Sequence, residues 1–161
     1  MMSAMDITSR VEFAAGVEEV FAMMTDRAYL EEVCQATHAR SFEAEVTGTT
    51  TRTSRKLPAP DVAAKFVGSE ITVLDETNWG PADAQGNRTG RVTMSIPGQP
   101  VTMKGAIELS AGGPGTIAQL TGDLKVAIPL LGKKMEQSAA PAILAGFRTQ
   151  QKVGDAWLAK G

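Results

Sequence analysis

The stretch Lys133–Ala159, KKMEQSAAPAILAGFRTQQKVGDAWLA, carries the only long helical pattern in the chain, and its reading decides the fold. Wound on a helical period, Met135, Ala139, Ile143, Gly146, Phe147, Gln150, Val153, Trp157 and Leu158 fall on one side, with Gln137, Arg148, Lys152 and Asp155 opposite. This predicts an amphipathic helix whose apolar stripe needs cover. Pro141 falls on the outward side, where the loss of one backbone bond bends a helix toward its core or splits it at Ala140.

Working outward from that helix, the remaining chain reads mostly as strands. Met5, Ile7, Val11 and Phe13 alternate with Asp6, Thr8, Arg10 and Glu12, the pattern of a half-buried strand. Gly16 breaks the alternation. Val17, Val20, Phe21 and Met24 then recur at helical spacing, with Glu18 and Glu19 in the first turn, where acids suit the helix dipole. Asp26 is placed to cap a second short helix carrying Tyr29, Leu30, Val33 and Cys34. Strands resume at Phe42, and Thr47-Gly48 turns the chain into a Thr-rich partner strand ending at Leu57, before Pro58 and Pro60. Asp61 to Phe66 has room for a helical turn. A meander follows through Ile71 and Val73 to Trp79, then Val92 to Ile96, Val101 to Leu109, and Ala118 to Ile128. Its separators are turn-forming: Gly80-Pro81, Gln85-Gly86-Asn87, Pro97-Gly98-Gln99-Pro100 and Gly112-Gly113-Pro114-Gly115.

Hairpin-linked strands pair antiparallel, and a sheet with one apolar face must cover that face. The terminal helix is the available cover. The expected architecture is therefore α+β: a curved antiparallel sheet of about seven strands around a long C-terminal helix, with two short helices after the first strand.

Composition narrows the function classes. A chain of 161 residues is of single-domain size and buries roughly 70% of its unfolded surface, enough for a core without disulfides or metal. One domain over residues 1–161 is expected. The net charge of -2, with no long basic run, argues against a nucleic-acid partner. A single cysteine, Cys34, and an N-terminus, MMSAMDITSR, without a signal-peptide core lead us to expect a cytoplasmic protein. No segment approaches the ~20 apolar residues of a spanning helix, which leaves peripheral membrane contact as an option.

The order of elements resembles the START-like (SRPBCC, helix-grip) superfamily, and FAAGVEEVFAMMTDRAYLEEVC resembles its first strand end and paired helices. More narrowly, KLPAPDVAAKFVG, ETNWGPADAQGNRTG, SIPGQPVTMKG, VAIPLLGKKME and DAWLA resemble a bacterial START-like family defined only as a domain of unknown function. The resemblance spans nearly the whole chain. It implies the helix-grip fold and a cavity for lipids, polyketides, sterols or other apolar molecules. It brings no catalytic residues, although some superfamily members are cyclases or partner-binding proteins.

By strand parity, Met94, Met103, Gly105, Leu120, Gly122 and Leu124 share the inward face with Ile107 and Val126. The helix presents Met135, Ala139, Ile143, Gly146 and Phe147 toward them. Glycines would leave room and methionines adapt to irregular apolar shapes, which suits a ligand cavity. The competing explanation is plain core packing, with the glycines marking bulges or close approach. Thr51, Thr53 and Arg55 run in phase with Leu57, and Asp75 and Thr77 with Ile71 and Val73. Arg55 and Asp75 would then pair at one end of the cavity, or Arg55 would hold a ligand carboxylate; alternatively they form a solvated pair on an edge strand. Gln150 is expected to be the one polar group in the helix's apolar stripe.

Other chemistries find little support. His38 is the only histidine and lies near no serine nucleophile motif, which disfavours a hydrolytic triad. Cys34, His38, Glu31 and Glu32 make a poor metal set, so neither metal nor cofactor is expected. The glycine-rich turns lack the phosphate-loop pattern. Trp79 and Trp157 read as packing for the sheet end and helix terminus, with a pocket-mouth wall as the alternative. The leading expectation is non-catalytic binding or transport of a small hydrophobic ligand. Alternatives are a polyketide cyclase or dehydratase-like enzyme, and a protein- or membrane-interaction module without a ligand.

Overall fold

In a computed structural model, which describes residues 5–59 and 61–160, the chain begins with β1 (Met5–Phe13) along one edge of a sheet. Pro60, the segment before Met5 and the last residue lie outside the described residues. Two short helices, α1 (Val17–Met24) and α2 (Arg27–Ala36), carry the chain to the opposite edge, where β2 (Ser41–Thr47) pairs with β3 (Thr50–Pro58). The link between the helices is tight because the Asp26 carboxylate accepts from the Ala28 amide at 2.9 Å. After α3 (Asp61–Val67), the strands β4 (Glu70–Trp79), β5 (Arg88–Ser95), β6 (Val101–Gly112) and β7 (Gly115–Val126) return by hairpins to meet β1. The resulting seven-stranded sheet has the order β1-β7-β6-β5-β4-β3-β2, every pair antiparallel.

The final helix, α4 (Gly132–Ala159), covers the concave face. It runs unbroken through Pro141, whose exposed position takes the missing N–H away from the core. The helix-grip architecture read from the sequence is the one observed. Where α4 sits on the sheet decides what the fold can do. It approaches β1, β7 and α2 closely and α3 more narrowly, with no comparable approach to β3, β4 or β5.

Under the β1–β7 side the interior is solid. Ile7, Phe13, Leu109, Leu120 and Leu124 are almost wholly buried, and Gly154 of α4 lies so near β1 that an added Cβ would come within 2.6 Å of the Phe13 ring. The far end of α4 is anchored by Tyr29, whose hydroxyl donates to the Gln150 carbonyl oxygen at 2.9 Å and whose ring meets Trp157 edge to face. Burial and the negative charge of Asp155 both raise the Tyr29 pKa, so this hydroxyl stays a donor. Trp79 fixes the other end of the sheet. It is buried, packs edge to face on Phe21, and lies against Gly90. Arg88 covers that Phe21 ring at 3.8 Å while donating twice to the Glu18 carboxylate, which lowers the Glu18 pKa. Both tryptophans pack the fold.

Candidate functional site

Strand register builds the candidate site as one row across the inner face of the sheet. Met5 lies opposite Leu124, Leu124 opposite Met103, Met103 opposite Met94, Met94 opposite Asp75, Asp75 opposite Thr53 and Thr53 opposite Ala44. Midway along, the row turns from apolar to polar. Leu124 and Met103 are closed off at 0% and 1% exposure and Met94 is buried, but Thr53 is only half-buried and 32% of the Asp75 side chain is accessible.

Asp75 accepts from Arg55 Nη2 at 2.9 Å, and Arg55 Nη1 reaches the Thr37 hydroxyl at 3.3 Å. That hydroxyl donates to the Cys34 carbonyl at 2.8 Å, which ties the pair to the end of α2. The Arg55 Nε is buried with no partner among the described residues. The pair therefore faces the concave side, and a solvated edge pair does not form.

Burial raises the Asp75 pKa above its ordinary 3.8, against the opposing pull of Arg55. The carboxyl is packed closely enough for burial to raise its pKa, while 32% of the side chain stays accessible. Burial likewise raises the Cys34 thiol, offset in part by Arg55, so this cysteine is an inert packing residue.

The end of α2 stands against this polar patch, and the middle of α4 keeps surface of its own. Ala139, Ile143, Phe147 and Gln150 are only half-buried, and a Cβ added at Gly146 would meet nothing within 4 Å. Leu57, Ile71 and Ile96 are similarly half-buried on the sheet side. These half-buried apolar side chains, packed at the margin of the core, are the candidate binding surface.

The inward residues expected from the sequence thus divide in two. Arg55, Asp75, Ala139, Ile143, Gly146, Phe147 and Gln150 keep accessible surface, while Met94 and Met135 are buried but for a few per cent. Met103, Leu120 and Leu124 are core. Gly105 and Gly122 do not leave room: they face each other in register, and a Cβ on Gly105 would collide with the Thr121 carbonyl and come within 2.6 Å of the Gly122 Cα. Their small size serves the close approach of β6 and β7 at a sharp bend.

The polar member of the α4 stripe is also different from expectation. Glu136 is 4% exposed and accepts the Val126 amide at 2.9 Å, closing the end of β7, while Gln150 contributes its backbone carbonyl to Tyr29. Thr37 gave no signal because it follows α2 outside any periodic pattern. Glu136 was legible, since it lies one turn from Ala139 and Ala140 on the same side of the helix.

Two hollows of about 480 and 430 Å³ lie elsewhere, one on the outer sheet face around Lys104 and Asp123 and one beside the end of α4 around Gln151 and Leu158. Both are open to solvent, and neither borders the Arg55–Asp75 pair. Among the described residues no group of three potential ligands could hold a metal, and His38 is exposed at the end of α2. No described helix is long and apolar enough to cross a membrane.

A curved antiparallel sheet gripping a long C-terminal helix defines the helix-grip fold. Residues 8–158 match the family model described as "Protein of unknown function (DUF2505)", and the chain belongs to that family. No curated protein matches its sequence. Among solved structures it is similar to the protein TTHA0849 from Thermus thermophilus, at 18% identity and a TM-score of 0.65, covering 94% of this chain and 95% of that one. A STAR-related lipid transfer protein fragment from Xanthomonas axonopodis matches at 15% identity and a TM-score of 0.61, over 94% of this chain and 84% of that fragment. The di-domain ARO/CYC StfQ of the steffimycin biosynthetic pathway matches at 13% identity and a TM-score of 0.65, over 96% of this chain and 50% of that one. At these identities the likeness establishes the fold.

Proposed function

We propose that the protein binds a small apolar or amphipathic molecule, of the lipid, isoprenoid or polyketide kind, between the inner face of β3–β5 and the middle of α4, without covalent chemistry. The observation that carries this reading is the Arg55–Asp75 pair, turned inward yet partly accessible, at the end of a half-buried apolar surface. Apolar ligand surface would bind at about 25 cal/mol per Å² removed from water, and the pair would orient a polar head group. That one solved neighbour is a STAR-related lipid transfer protein and another an ARO/CYC protein supports a ligand of this class.

Native mass spectrometry and solvent extraction of the purified chain test it. The expected result is a co-purifying or exchangeable lipid-like molecule. Gly146→Phe, which places a ring in space now empty, blocks uptake while the fold survives. Absence of any bound molecule across fatty-acyl, isoprenoid and polyketide probes would remove the proposal.

A cyclase-like or dehydratase-like enzyme is the second reading, favoured by the raised pKa of an inward carboxyl suited to proton transfer. It requires that a bound polyketide-like molecule be converted on incubation to a cyclised isomer, separable by chromatography at unchanged mass, or to a product lighter by one water, and that Asp75→Asn abolish the conversion while retaining binding.

A further inference from the structure

The link from β7 into α4 breaks several local rules at once. Leu130 is fully exposed, the one large apolar side chain among the described residues left entirely in solvent. It is also held at φ 69°, a left-handed conformation that costs a leucine roughly 1–2 kcal/mol. Immediately after it, Leu131 stands as the N-cap of α4 with no side-chain cap bond, and the first turn of the helix holds no acid. Lys133 and Lys134 stand there instead, exposed, at the helix end where the dipole disfavours cations. The nearest acid, Glu136, is turned inward onto the Val126 amide, and Lys125 adds an exposed cation at the end of β7.

The neighbouring loop extends this surface. Ala127 donates to the Pro100 carbonyl at 2.8 Å, holding the β5–β6 and β7–α4 loops together, and Pro97, Pro100 and Pro129 of these loops are exposed. An exposed leucine followed by two exposed lysines, with the nearest acid of the helix withdrawn and Asp123 of β7 opposite Lys104, is complementary to one kind of surface: acyl chains beneath anionic head groups. Strain and poor capping that persist in a fold are offset by what the segment does when it meets its partner.

We infer that this end of the molecule docks on anionic membranes, with Leu130 entering the interface and Lys125, Lys133 and Lys134 meeting head-group phosphates. The inference stands apart from ligand binding, because it concerns the outside of the loops and is read without any ligand.

Co-sedimentation of the full chain with vesicles tests it, comparing phosphatidylcholine alone with equal parts phosphatidylcholine and phosphatidylglycerol, at low and high salt. The chain is expected to pellet with the anionic vesicles at low salt only. Lys133→Glu with Lys134→Glu weakens this at least about twenty-five-fold, at about fivefold for each cation lost. Leu130→Gly weakens it about tenfold. Because glycine accepts the left-handed backbone, Leu130→Gly does not lower Tm, the opposite of what a packing leucine would show. No binding to anionic vesicles, equal binding to both compositions, or variants that pellet like the parent would overturn the inference. So would a parent dimer that Leu130→Gly splits, since the patch would then join two copies.

Discussion

The two halves of the sheet share one helix and one set of hairpins, and they have been put to different uses. Beneath the β1–β7 side, α4 comes down hard and the row Met103–Leu124 has no surface left. Two strands further along the same row, α4 stands off and the side chains become Met94, Asp75 and Thr53. The stand-off follows from chain geometry. A single helix laid on a coiled, twisted sheet can follow only part of its concave face, and α4 lies against α2, β1 and β7. Stability is therefore concentrated in one half, which leaves the other free to carry polar groups inside.

That contrast is sharpest in its largest expected effect. Leu124→Ala should lower stability by about 3 kcal/mol, because its surroundings cannot collapse, and Met94→Ala by less, because its neighbours border accessible space. Chemical denaturation of the two variants measures the gap. Equal losses would erase the distinction between the halves.

The Arg55–Asp75 pair comes next. Asp75→Ala should cost roughly 2 kcal/mol, less than the loss of a fully buried pair, since the carboxyl is 32% accessible. Replacing both groups, Arg55→Met with Asp75→Leu, should restore most of that loss, as no uncompensated charge remains. Failure of the double variant to recover would mean that the pair holds the sheet rather than serving the binding surface.

A pH series separates the carboxyl itself. Its folded pKa lies above the unfolded value near 3.8, so the folded state keeps its proton longer. Stability relative to Asp75→Asn should accordingly be greatest below the unfolded value, fall as pH rises through the folded value, and then level off. The opposite slope would show Arg55 outweighing burial.

The smallest effect is expected at Thr53, where Thr53→Val should change stability by no more than about 0.5 kcal/mol while tightening an apolar probe. A larger loss would place this position in the core.

Much of this was legible in the sequence. Alternation and turn residues gave the strands and their order, and the Lys133–Ala159 stripe gave the helix, because those signals are local. The inward phase of Arg55 and Asp75 also followed from parity, but strand periodicity alone left their face undecided until register put Asp75 between Thr53 and Met94. What parity could not supply was depth. Met103 and Met94 read alike in sequence, and only the structure separates them, at 1% and 8% exposure. Gly105 and Gly122 misled for a related reason: a missing side chain signals either space or contact, and the approach of β6 to β7 makes it contact.

Methionine methyl NMR during titration with a medium-chain fatty acid tests the central claim most directly, since methionines sample both halves. The account predicts saturable shifts at Met94 and Met135, with Met23, buried on the inner side of α1 near Gly154, unmoved. Saturable shifts confined to Met23 and Met24, or no saturable shift at all, would contradict it.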